Sequence, residues 1–184
     1  MGQYYMPVIK RGNVLRRVYS HDFHNGLKLM EHSYIDNNFG NIVANEIVEN
    51  PAQLYWLGDY AEVSDFASEA LFKRIYGYAW RRTKKSRTTV EGAIEEFDWT
   101  KDWYYINKTK KQYILMPKPH PEDWVITPLS LLAAIGNGRG GGDYHKDNSM
   151  VGYWAGDKVY LSREKPDNKY SDITEDVDFG KEDW

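Results

Sequence analysis

The chain of 184 residues contains no cysteine. Disulfide bonds, thiolate zinc sites, iron–sulfur clusters and cysteine nucleophiles are therefore excluded, and a reducing, cytoplasmic setting fits. The chain also lacks a hydrophobic run long enough to span a membrane, and its opening MGQYYMPVIKRG has no apolar signal core. Positive charge is not in excess either, because the formal net charge is -3, which argues against general nucleic-acid binding.

Aromatic residues are abundant, at 15% of the chain, with 7 Trp and 15 Tyr. Such side chains bury large areas and keep a polar group available. The excess suits an aromatic-lined pocket, and a tyrosine-rich core explains it equally simply. The length allows one domain with a sizeable core.

The pattern of apolar residues and turn signals predicts a single α+β domain, a mainly antiparallel sheet with helices packed on one face. We expect this domain to span 1–162, and the acidic stretch 163–184 to form a loose tail or an extended arm. Strands are predicted at 3–9, 14–20, 27–35, 53–63, within 103–118 (two strands) and at 150–162, and helices at 39–50, 64–82, 90–99 and 126–138.

The two ends of this domain are similar in sequence. Each half, about 3–62 and 103–161, opens with a Tyr-Tyr strand and a basic turn and closes on Trp-x-Gly-Asp, with a helical insertion at 63–102 between them. A duplication would relate the halves by a pseudo-two-fold axis and bring equivalent strand ends together. Chance is the alternative, because Tyr and Trp are frequent here and Gly-Asp is a common turn pair.

A glycine-rich loop, NGRGGGD at 137–143, follows the last predicted helix. Dinucleotide-binding and P-loop motifs place their glycines before a helix, so the reversed order removes the help of a helix N-terminus. Any anion would depend on bare backbone N–H groups and on the Arg139 guanidinium. The alternative is a mobile connection. The candidate ligand-binding residues here are Asn137, Gly138, Arg139, Gly140, Gly141, Gly142, Asp143 and the following His145.

The two Trp-x-Gly-Asp motifs contribute Asp59 and Asp157, which duplication would place at one shared cleft. Carboxylates there could bind a ribose hydroxyl pair, divide acid and base roles, hold Mg²⁺, or simply cap turns. The preceding Trp56 and Trp154 could stack on a base, although core packing is the simpler interpretation. If the protein is an enzyme, Asp157 or Asp143 is the expected base, assisted by His145. No metal site is expected, because the His21–His24 pair lacks a recognised ligand spacing.

A basic segment, 73–87, interleaves cations with Tyr and Trp and contains no acid. Such a composition suits contact with single-stranded nucleic acid or an acidic protein, and a solvated helix face is the alternative. The residues of this interaction surface are Lys73, Arg74, Arg81, Arg82, Lys84, Lys85 and Arg87.

Five sequence stretches are distinctive when taken together: MGQYY at the start, LKLMEHS at 27–33, WLGDYA at 56–61, NGRGGGD at 137–143 and VGYWAGD at 151–157. Together they resemble an uncharacterised family of small bacterial and phage-encoded proteins. The resemblance covers 1–62 and 112–161. It implies that the glycine loop and the second Trp-x-Gly-Asp motif, expected in a strand, belong together, and it implies no activity.

These patterns favour a protein that binds a small anionic, nucleotide-like molecule without a cofactor. In a phage setting such a protein could sequester a signal or inhibit a host defence enzyme, which is analogy rather than chemistry. The alternatives are a hydrolase or transferase acting on such a molecule, and an interaction module that uses 73–87. The sequence favours binding over catalysis. Among the possible partners, nucleic acid is the least favoured. The sequence leaves the oligomeric state open.

Overall fold

The fold was described from a computed structural model, which describes residues 1–23, 26–80 and 95–179. Within these residues the α+β class is confirmed, with eight strands and four α-helices. The strands are β1 Tyr5–Arg11, β2 Val14–Arg17, β3 Ala52–Gly58, β4 Tyr104–Asn107, β5 Gln112–Leu115, β6 Ala134–Ile135, β7 Lys158–Ser162 and β8 Ser171–Asp172. The helices are α1 Leu29–Ser33, α2 Asn38–Ile47, α3 Glu69–Trp80 and α4 Pro128–Leu131.

The strands form one mostly antiparallel sheet in the order β2-β1-β3-β7-β4-β5-β8, and β6 pairs with β3. Only the β3–β6 and β5–β8 pairs among these are parallel. The strands of the two sequence halves can be matched in pairs, β1 with β4, β2 with β5 and β3 with β7. With this matching, the strand order is symmetric about the β3–β7 junction. This order is compatible with duplicated halves, and the pseudo-two-fold relation itself stays a prediction.

Apolar residues fill both faces of the sheet, which decides where the helices lie. On one face Tyr5 and Ile9 join the larger core together with α1, α2 and α4. On the other face Met6 and Val8 pack with Ile75 of α3. The predicted placement of helices on one face therefore holds for three of them, and α3 covers the opposite face because buried apolar side chains alternate along β1 and β3.

Several predicted elements differ from the fold. Residues 27–35, expected as a strand, contain α1, whose first turn is fixed by the Lys28 N–H donating to Glu31 at 2.8 Å. The predicted helix 126–138 is the single turn α4, capped by Thr127, after which the chain enters β6. Residues 150–157, expected within a strand, form turns before β7.

The segment after residue 162 is part of the fold as far as the structure describes it. It runs from β7 past β4 and β5 to add β8 in parallel to β5, and it buries Ile173 and Phe179 in the larger core. The interpretation as an extended arm therefore fits residues 163–179, and the core extends beyond residue 162. Of the predicted helix 90–99, residues 95–99 are described and are not helical.

The longest helix described is α3, with 12 residues, and none in the described ranges combines the length and apolar character needed to cross a membrane.

Candidate functional site

The glycine loop lies against the first residues of the chain. The Gln3 N–H donates to the Gly141 carbonyl at 3.1 Å, the Gly141 N–H donates to the Met1 carbonyl at 3.1 Å, and the Met30 N–H donates to the Gly142 carbonyl at 3.1 Å. The loop is therefore tied by backbone hydrogen bonds to the residues just before β1 and to α1.

The loop N–H groups do bind a carboxylate, that of Asp143 in the same loop. The Asp143 side chain is fully buried, and its Oδ2 accepts from the N–H groups of Gly138 at 2.7 Å, Arg139 at 2.8 Å and Gly140 at 3.0 Å. This is the backbone concavity that binds anions in other loops. The expectation of bare N–H groups for an external anion is therefore corrected, because an internal carboxylate occupies three of them.

The glycines allow this loop to approach Gln3, two residues before β1, closely. A Cβ on Gly140 would lie 2.5 Å from the Gln3 Cβ and 2.8 Å from its backbone nitrogen, a distance that real Cβ atoms do not tolerate. The Gln3 side chain is itself fully buried, and its amide lies beside Gly58 and Gly136. Gly140 is thus required for packing, a reason that composition alone does not reveal.

Arg139 turns away from the Asp143 carboxylate. Its guanidinium binds Asp65 through both terminal nitrogens, one of them at 2.8 Å, and also donates to the Tyr60 carbonyl at 3.1 Å. Partial burial acts to raise the pKa of Asp65, but the hydrogen bonds from Arg139 and from the Glu62 N–H outweigh it and lower that pKa. An external anion at Arg139 would have to displace Asp65.

Asp59 lies next to this loop, at the end of β3. Its backbone N–H donates to the Tyr4 carbonyl at 2.9 Å, and its Oδ1 accepts the Tyr4 N–H at 3.0 Å. The Tyr76 hydroxyl donates to the Asp59 carbonyl at 2.6 Å. No other described residue donates a hydrogen bond to this carboxylate. Partial burial raises the pKa of Asp59 above its ordinary value, and the Tyr4 hydrogen bond opposes that rise.

Aromatic rings line the same corner. Tyr4 is 38% exposed, and its ring meets the His21 ring edge-on, with centroids 5.5 Å apart. His21 also stacks on Tyr19, with centroids 5.2 Å apart. We call the group formed by Tyr4, His21, Asp59 and Tyr76 the Asp59 corner. Sequence reasoning identified Asp59 and missed the roles of the tyrosines: Tyr4 belongs to the Tyr-Tyr pair at the start, and Tyr76 lies within the basic segment 73–87.

Directly behind the Asp59 corner, Tyr5 faces inward. Burial, followed by the nearby Asp143 carboxylate, raises the pKa of its hydroxyl well above the ordinary value, so Tyr5 stays protonated. Tyr4 and Tyr5 point to opposite sides of the chain, as neighbours in extended backbone do. One ring thus faces solvent while the other covers the loop carboxylate.

Asp157 does not share a cleft with Asp59, which corrects the expected convergence. Its carboxylate accepts from the Asn107 amide at 2.8 Å and forms an ion pair with Lys110. Its carbonyl accepts the Leu54 N–H, four residues before the end of β3. At about 3.3 Å per residue, that offset is roughly 13 Å along the strand.

The two tryptophans are core residues, so the stacking role considered for them is wrong. Both are fully buried. The Trp56 indole N–H donates to the His32 Nδ1 at 2.8 Å, and that of Trp154 donates to the Gln112 amide oxygen at 3.1 Å.

The remaining predicted site residues are dispersed. Asn137 holds Tyr144 through two hydrogen bonds of 2.8 and 2.9 Å, and His145 is exposed. Of the basic segment, Lys73 pairs with Glu69 and Arg74 donates to the Asn13 carbonyl. The other members, Arg81, Arg82, Lys84, Lys85 and Arg87, and also His24, lie outside the described residues.

In the described part of the chain no group of three or more histidine, aspartate or glutamate side chains is arranged to hold a metal ion. The chain matches no protein-family model, no curated protein and no solved structure.

Proposed function

We propose that this protein binds a small nucleotide-like molecule at the Asp59 corner. The observation that carries the proposal is the Asp59 carboxylate: it is partly buried, one oxygen is fixed by the Tyr4 N–H, and no other described residue donates a hydrogen bond to it. A carboxylate held in this way accepts hydrogen bonds from a ligand's hydroxyl or amino groups.

The surrounding groups supply the other parts of the recognition. The exposed Tyr4 ring and the His21 ring offer faces and edges on which a base can stack. Arg139 bonds to the carbonyl of Tyr60, the residue after Asp59, so its positive charge lies beside the corner. A ligand phosphate would bind this guanidinium by displacing Asp65, because Asp143 already occupies the loop N–H groups.

The binding test is calorimetric titration of the protein with adenosine, AMP, ATP, NAD and a cyclic dinucleotide. We expect saturable binding of at least one phosphorylated compound, tighter than that of adenosine. Asp59→Asn should weaken it at least tenfold, because an amide presents its own N–H donors to the ligand. Asp167→Asn, at an exposed carboxylate elsewhere, is the matched control and should bind like the unmodified protein. Absence of binding to all five probes contradicts the proposal.

A hydrolase or transferase acting on the same ligand is the second candidate. One observation favours it: Asp59 has a raised pKa and lies near an imidazole, that of His21, a pairing used in acid–base catalysis. The base predicted from sequence would change, because Asp143 is buried under three N–H groups and Asp157 is ion-paired. Mass spectrometry of the bound compound after incubation and heat release distinguishes the two: unchanged ligand indicates binding alone, and product indicates turnover.

A further inference from the structure

A second concave region lies towards the other edge of the sheet, beside β5. It is a groove of about 460 Å³ formed where β5 ends, between residues 123–128 and 174–179. Two strands, β7 and β4, separate β5 from β3, so this groove is distinct from the Asp59 corner. Its floor is apolar, with Ile114, Met116, Ile126 and Phe179 among the lining residues.

Large apolar side chains remain exposed at this groove. Trp124 is 75% exposed and Leu115 is 41% exposed. A scattered apolar residue on a surface carries little meaning, but adjoining ones around a concave apolar floor are typical of interaction sites. Tryptophan is also the residue type most enriched among those that dominate binding energy.

Trp124 is held in place by its surroundings. The Val125 carbonyl accepts the Ile35 N–H at 2.8 Å, and the Thr127 N–H donates to the Ser33 carbonyl at 2.7 Å. The Trp124 ring meets the Tyr34 ring edge-on, with centroids 5.0 Å apart. Because the backbone around Trp124 and its contact with Tyr34 are already formed, ordering the Trp124 side chain on binding would cost little conformational entropy.

The rims of the groove are acidic. Segments 121–128 and 174–179 contain no lysine or arginine. Their exposed carboxylates are those of Glu122, Asp123, Glu175, Asp176 and Asp178. Asp123, which lies 3.7 Å from a His120 ring nitrogen, and Asp178 line the groove, and the other three adjoin it in sequence. An occupant with cations on both sides of an apolar centre would complement this arrangement and would be attracted more strongly at low salt.

We propose that this groove is a docking site for a peptide segment of a partner protein that presents a bulky apolar side chain flanked by lysine or arginine. The apolar side chain fills the groove against Trp124 and Leu115, and the flanking cations meet the two acidic rims. The site is independent of the nucleotide-like ligand.

The test measures fluorescence anisotropy of a labelled heptapeptide, Lys-Lys-Leu-Phe-Leu-Lys-Lys, titrated with the full chain at low salt. Two further peptides serve as probes, one with glutamate in place of every lysine and one with Ser-Ala-Ser at the centre. We expect saturable binding of the first peptide alone, weakening as salt is added. Trp124→Ala should reduce the affinity about tenfold or more, and Glu175→Lys should reduce it at low salt.

Matched variants at exposed positions elsewhere separate the groove from general effects. Val14→Ala and Glu164→Lys should leave the affinity unchanged. Equal binding of the glutamate peptide, or no loss in Trp124→Ala, overturns the proposal. Light scattering of the protein alone provides a further check, because self-association that Trp124→Ala abolishes would assign the groove to a second copy of the chain and not to a partner.

Discussion

Asp143 is buried, yet its carboxylate has no cation as a salt-bridge partner in the described part of the chain. Three backbone N–H groups stabilise it instead, and hydrogen bonds to a charged acceptor are each stronger than neutral ones. A single side chain thus decides what the loop can bind, because it fills the place that a phosphate occupies in nucleotide-binding loops. Arg139, which the sequence suggested for the same anion, instead binds Asp65 and the Tyr60 carbonyl at the surface beside Asp59.

His32 gives a prediction about pH. It is fully buried, its Nδ1 accepts the Trp56 indole N–H, and its Nε2 contacts the Gly26 carbonyl at 2.6 Å. Burial lowers its pKa to about 3, from an ordinary value near 6.5. Between about pH 3 and pH 6.5, this histidine is therefore protonated in the unfolded chain and neutral in the folded chain. The free energy of unfolding should therefore fall by about 1.4 kcal/mol per pH unit below pH 6.5 through this residue, with no contribution above it.

Urea unfolding at pH 7.0 and pH 4.5 measures this effect. His32→Gln retains hydrogen-bonding groups without the titration, so its loss of stability on acidification should be smaller by about 2–3 kcal/mol. The same change at exposed His120 should leave the loss unaltered. An equal acid loss in the His32 variant and the unmodified protein would contradict the prediction.

At the scale of the elements, the glycine loop tolerates little added volume at Gly140. Gly140→Ala forces a Cβ into the backbone and side chain of Gln3, and overpacking of this kind costs about 1–3 kcal/mol. Gly141→Ala is the matched control, because its Cβ would meet its nearest neighbour at an ordinary 3.7 Å. We expect thermal denaturation to show a clear loss of stability for the first variant and a small change for the second. Equal melting temperatures would indicate that the loop can move away from β1.

The elements also show how far a sequence can be interpreted. Strands β1, β3, β4 and β5 and helices α2 and α3 were predictable because each carries a periodic apolar pattern and clear turn or cap residues. Helix α1 was not, because its five residues make little more than one turn, which is too short to show a helical period. The Asp59 corner was half predictable: Asp59 follows a strand, whereas Tyr4, His21 and Tyr76 come together only through tertiary packing.

For the whole molecule, the arm after β7 extends the core. Phe179 is 4% exposed, its ring meets that of Tyr144 edge-on with centroids 5.6 Å apart, and its carbonyl accepts the Tyr144 hydroxyl at 2.5 Å. Phe179→Ala should lower the free energy of unfolding by about 3 kcal/mol, the usual cost of emptying such a site. Urea denaturation measures it, with exposed Val14→Ala as the control. A loss no larger than that of Val14→Ala would mean that the arm adds nothing to the stability of the sheet.

Backbone hydrogen bonds join the glycine loop to Met1, Gln3 and Met30, and Tyr144, the residue after the loop, donates its hydroxyl to the Phe179 carbonyl. On the ribosome, β1 emerges long before the loop that covers its start, and the arm follows later still. Nascent chains therefore carry Gln3 and Tyr5 uncovered through much of translation, since contacts between remote residues form late. Chains halted in this interval would present an incomplete sheet to chaperones and proteases.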